Sequence, residues 1–101
     1  MPTRFGVNAP LAIEVEIRKE KASALKRVAN KLESLIEELK TLETQAVALA
    51  GDARASLLRR HAEVRAEAEK QQWYLIVQRE AMGLSQHRDV YELYPIPPKL
   101  K

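Results

Sequence analysis

Between Leu25 and Leu49 the apolar positions are Leu25, Val28, Leu32, Leu35, Leu39, Leu42, Ala46 and Leu49, alternating three and four residues apart. On an α-helix that spacing draws one apolar seam along the rod, and the intervening Glu, Lys, Ser and Thr suit a solvated face. Ala29 and Ile36 widen the seam toward the stripe of a bundle helix. The run ends at "LAGDARA", where Gly51 suits the left-handed backbone that closes a helix and Asp52 suits capping of the next.

A second frame follows at Leu57, His61, Val64, Ala68, Gln71, Leu75, Gln78 and Met82, four and three apart and more polar in content. Two such frames joined by a tight turn predict an all-α fold, an antiparallel coiled-coil helical hairpin. With the turn at Gly51, residues whose numbers sum to about 102 face one another, which sets Glu33, Glu37, Glu38 and Glu43 beside Arg59, Arg60, Arg65 and Lys70. Exposed pairs contribute only a few tenths of a kcal/mol each, so this complementarity speaks for register and not for stability. Alanines at 46, 48, 50, 53, 55, 62, 66 and 68 make the tip thin.

The stretch Trp73-Tyr74-Leu75-Ile76-Val77 has the residue types of a buried strand inside a helical frame. Helix wins, because propensity is a weak prior beside the periodicity around it. Five consecutive helical side chains wrap the whole circumference, so Leu75 and a neighbour face the first helix while Trp73, Tyr74, Ile76 and Val77 need other cover. The chain offers Leu84, Val90, Tyr91, Leu93, Tyr94 and Ile96, and at the same end Leu11, Ile13, Val15 and Ile17, whose alternation permits a strand but whose context favours helix. A second hairpin is the other source of cover, and pairing into a homodimeric four-helix bundle is the expected assembly. The expected contact surface is Trp73, Tyr74, Val77, Tyr91, Leu93 and Tyr94.

The expected organisation is an N-terminal arm over 1–9 and a hairpin domain over 10–94, followed by an extended Pro-rich C-terminal tail over 95–101. Within the domain the helices are expected at about 10–50 and 53–82 around a turn at 51–52, with an irregular or short helical segment at 84–94. Pro95, Pro97 and Pro98 forbid helix in the tail. That tail either packs on its own protein and frays, or serves "YPIPPK" as a docking peptide for an aromatic groove.

Composition narrows the function. At 101 residues the chain holds one domain at most, and 17 Lys and Arg against 14 Asp and Glu give a modest +3. The absence of cysteine excludes disulfides and thiolate chemistry, and suits a cytoplasmic location. No apolar run reaches the roughly 18–20 residues of a membrane span, and "MPTRFGVNAP" lacks the apolar centre of a signal peptide. Between residues 18 and 31, six basic residues (Arg18, Lys19, Lys21, Lys26, Arg27 and Lys31) against Glu20 alone leave a local charge of +5. With Trp73 or Tyr74 to stack on an unpaired base, that segment supports an alternative reading as a nucleic-acid site, although a solvated basic helix face is the commoner meaning. Binding to a membrane surface is disfavoured by Glu14, Glu16 and Glu20 close by.

Catalytic groupings are not legible. The glycines are scattered at 6, 51 and 83, and Ser23, Ser34, Ser56 and Ser85 lack motif context. His61 reads as a hydrogen-bonded core or boundary residue, and His87, in "SQHRD", as a surface residue. The sequence therefore predicts a small non-enzymatic interaction or scaffolding protein without metal or cofactor, a homo-oligomer that also binds a protein partner.

Overall fold

The structure, a computed structural model, describes residues 12–101. The expected arm over 1–9, and Pro10 and Leu11 of the expected first helix, lie outside the described residues. Three helices follow in order: α1 over Ala12–Ala46, α2 over Gly51–Ala81 and α3 over Arg88–Leu93, with no strand among the described residues. The stretch Ile13–Ile17 is helical, since neither a turn nor a proline interrupts α1 after Ala12. α1 and α2 pack against each other as a helical hairpin in a molecule measuring 75 × 21 × 16 Å.

The seam of α1 is centred on Leu32, Leu39 and Ala46, all buried. At about 100° per residue, Ala29, Ile36 and Glu43 lie on one flank of that line, and Val28, Leu35 and Leu42 lie on the other. The flanks differ in cover: Ile36 is buried, whereas Val28, Leu35 and Leu42 are only partly so. α2 buries Leu57, His61, Val64, Ala68, Gln71 and Leu75, the frame expected from spacing. Beyond Leu75 the frame loosens: Gln78 is half-buried and Met82 exposed, at a hollow that Arg18, Lys21, Ala81 and Met82 line.

The turn comes earlier than the glycine suggests. α1 stops at Ala46, the Ala48 and Leu49 amides donate to the Gln45 and Ala46 carbonyls, and Gly51 takes φ 61° as the first residue of α2. Asp52 does not cap; the capping position is Ala50, without a side-chain bond, and Asp52 sits in the first turn, where its charge suits the helix dipole. The last turn of α1 carries no basic residue of its own, and the guanidinium of Arg54 donates to the Ala46 carbonyl from across the turn. The shift moves the register by a few residues, so that Arg60 meets Glu38 at 2.7 Å and Lys31 meets Glu67 at 3.7 Å.

α2 ends in a Schellman motif. Gly83 adopts φ 88°, its amide donates to the Glu80 carbonyl, and the Leu84 amide donates to that of Arg79, both at 3.0 Å. The chain then turns back so that α3 lies over the α1–α2 groove with Val90 in the core beside Leu75. From Tyr94 it runs without helix along α2 toward the turn. The Gln72 amide donates to the Tyr94 carbonyl at 3.3 Å, Arg65 to that of Pro97 at 2.8 Å and Arg54 to that of Lys101 at 2.9 Å. A proline-rich run has carbonyls with no internal partner, and these three side chains supply donors along it. Ile96 packs on the core, and Pro95 to Pro98 lie over Ile36, Lys40 and Glu43 of α1.

Candidate interaction surface

The residues expected to form one contact surface are placed in three settings. Trp73 and Tyr74 stand on the outer side of α2 with ring centroids 5.4 Å apart and planes tilted by 56°. Lys70 Nζ lies 5.8 Å from the Tyr74 centroid, a cation over a ring face. Val77, one turn on, shares that side, and all three are exposed, Trp73 by 60 %. Tyr91 and Leu93 are carried on α3 and are 56 % and 70 % exposed, Leu93 at the rim of a 210 Å³ groove that Ala22, Leu25 and Ala29 of α1 also line. Tyr94 is different: it packs partly buried against the core and gives its carbonyl to Gln72.

The position of α3 depends on Arg79. Its guanidinium donates to the Gln86 carbonyl at 3.0 Å, to the Asp89 carboxylate at 3.1 Å and to His87 Nδ1 at 3.4 Å. Accepting that bond leaves the His87 proton on Nε2, which faces the Glu80 carboxylate at 3.4 Å. His87 is therefore largely covered, a joint between α2 and α3, because the Schellman turn folds "SQHRD" back onto Arg79. His61 is fully enclosed and its Nε2 donates to Glu43 at 3.1 Å, the hydrogen-bonded core residue expected from its place in the frame.

The six basic residues do not share a face. At about 100° per residue, Arg18 and Lys21 point toward the seam, Lys19 and Lys26 to one side, and Arg27 and Lys31 to the other. Two are paired, Lys19 with Glu16 at 3.9 Å and Lys31 with Glu67 at 3.7 Å. The segment is basic in sequence and dispersed in space.

The flank of the hairpin opposite α3 and the tail carries a feature that periodicity alone passed over. Val28, Leu35 and Leu42 line it on α1, and two ion pairs bridge it, Lys31–Glu67 and Glu38–Arg60. The Gln71 amide donates to Glu67 at 3.0 Å, and this bond, with Lys70 and Lys31 nearby, lowers the Glu67 pKa from its ordinary 4.5 against a smaller opposing effect of burial. A signal was present in the sequence: each helix carries opposite charges one heptad apart, Lys31 and Glu38 on α1, Arg60 and Glu67 on α2. Among the described residues no helix is long and apolar enough to cross a membrane, and no three His, Asp or Glu side chains converge as metal ligands. No protein-family model, curated protein or solved structure matches the chain.

Proposed function

We propose that the protein is a small non-enzymatic interaction or scaffolding protein, a hairpin that self-associates and presents an aromatic patch to a protein partner. The observation that carries this reading is the exposure of Trp73, Tyr74 and Val77 together on the outer side of α2, while the chain spends its own apolar cover, α3 and the tail, elsewhere. Large aromatics left in water on a helix face are the residues that dominate interfaces when a partner desolvates them. The reading fits a cytoplasmic protein. Nucleic acid is the weaker candidate, because dispersed cations track a phosphate backbone poorly and two of the six already have carboxylate partners.

Two measurements test it. Sedimentation equilibrium at micromolar concentration is expected to show a dimer or larger species, and a monomer throughout would contradict self-association. Replacing Lys19, Lys21, Lys26 and Arg27 with glutamine is expected to leave partner binding in place, whereas Trp73→Ala removes it with helicity unchanged by circular dichroism. Tight RNA or DNA binding by the wild type, steep in salt and abolished by the glutamine set alone, would transfer the function to nucleic acid.

A further inference from the structure

The four charges on the open flank alternate in sign both along and across the hairpin. Lys31 and Glu67 bridge the helices at one level, Glu38 and Arg60 bridge them one heptad nearer the turn, and each helix reverses its sign between the two levels. The midpoint on α1 falls between Ser34 and Leu35, and Val28 and Leu42 stand one heptad to either side of Leu35. Charge and apolar patterns therefore share a centre.

We infer that a second copy of the chain docks on this flank about a two-fold axis crossing the helices at Leu35, with the two α1 helices antiparallel and the two turns at opposite ends. The rotation sets Lys31 of each copy at the level of Glu38 of the other and Arg60 at the level of Glu67, so the bridging charges meet opposites. In the middle, Leu35 meets Leu35 and Val28 meets Leu42. An axis along the helices would also match the charges, but it would lay Val28, Leu35 and Leu42 over Glu67 and Gln71 of α2, desolvating polar groups against leucine. The apolar line selects the crossing axis. The paired stretch from about residue 24 to 45, two helices wide, offers on the order of 650 Å² per copy, near the roughly 800 Å² that a stable interface contributes from each side. The two Trp73 patches would then lie outside the interface, roughly 30 Å apart along the bundle.

This geometry rests on the self-association proposed above, and cross-linking separates the two claims. The chain has no cysteine, so single cysteine variants report without background. Leu35→Cys on the axis is expected to form an intermolecular disulfide almost completely under mild oxidation, since the bond needs Cα atoms about 4.4–6.8 Å apart. Leu42→Cys and Val28→Cys are each expected to cross-link at least fivefold less alone than when mixed with each other. The substitution Glu38→Lys, at a half-exposed bridging pair, is expected to raise the dimer dissociation constant at least tenfold with helicity unchanged. A dimer by sedimentation that gives no cross-link at Leu35, that cross-links as well through Leu42→Cys alone as in the mixture, or that tolerates Glu38→Lys overturns the geometry and leaves self-association standing. A monomer under reducing conditions at every concentration overturns both.

Discussion

The two flanks of the hairpin are built from the same pair of helices and are finished differently. On one, Val90 and Ile96 come from the C-terminal segment to bury Ile36 and Leu75, and Arg54, Arg65, Gln72 and Arg79 on α2 point polar donors at its backbone and loops. On the other, Val28, Leu35 and Leu42 stay half covered beneath two cross-helix ion pairs. A two-helix hairpin has two grooves, and among the described residues this chain carries cover for one. Among the described residues a monomer so built buries nine apolar side chains, a small core for a rod of this length, and added burial on the second groove is the most direct way to stabilise it.

The largest effect should come from the line both flanks share. Leu39→Ala, at a fully buried site, is expected to cost about 2–5 kcal/mol at any protein concentration. Leu35→Ala, one turn away on the open flank, should cost less in dilute protein and approach the Leu39 value as concentration rises into the micromolar range. Thermal melts across a hundredfold dilution check both, and equal, concentration-independent losses would erase the distinction between the flanks.

A smaller effect belongs to the covered flank. Ile96→Ala is expected to cost roughly 1–2 kcal/mol, below the range for a fully enclosed isoleucine because the site is partly exposed. Tryptic cleavage after Lys99 should then quicken, while the amides of α1 keep their protection from hydrogen exchange. Exchange that spreads evenly through both long helices would mean that the tail is integral to the hairpin and not a cover laid on it.

The smallest effect lies in the acid limb of stability. The Glu67 carboxyl is held below its ordinary 4.5 by the Gln71 bond and by Lys70 and Lys31, so between that lowered value and 4.5 the unfolded chain binds more protons than the folded one. Stability from this group is complete above about 4.5 and is lost as pH falls through the folded value. Glu67→Gln is expected to flatten that limb, and a pH series of denaturant melts reads the slope directly.

The hairpin was legible because a 3,4 spacing survives any choice of flank: Leu32, Leu39 and Ala46 are buried whichever groove is covered, and the α2 frame from Leu57 to Leu75 follows the same logic. What was not legible is non-local. Nothing near Ile36 or Leu35 says which of the two neighbours is the buried one; that is decided by a segment sixty residues away folding back along α2. The turn was misplaced for a related reason, since Gly51 marks positive φ correctly while Arg54 closes the end of α1 at Ala46 from the following helix. Among the expected contact residues, Trp73, Tyr74 and Val77 could be placed outward by counting around a helix. Tyr94 could not, because its fate depends on Gln72 and on the path of the tail. "YPIPPK" supplies Ile96 and Pro97 to the groove of its own hairpin and meets there the donors a docking peptide would seek.

Leu35 and Ile36 are adjacent in sequence and lie on opposite flanks, so their thiol reactivities as cysteine variants report the two grooves separately. Under reducing conditions the Leu35→Cys and Ile36→Cys variants are treated with a thiol reagent from nanomolar to high micromolar protein. Ile36→Cys should react slowly at every concentration, shielded by the tail, while Leu35→Cys should react fast when dilute and become at least tenfold slower as the copies associate. Equal rates at the two positions, or a Leu35→Cys rate indifferent to concentration, would contradict a hairpin with one flank closed by its own chain and the other by a second copy.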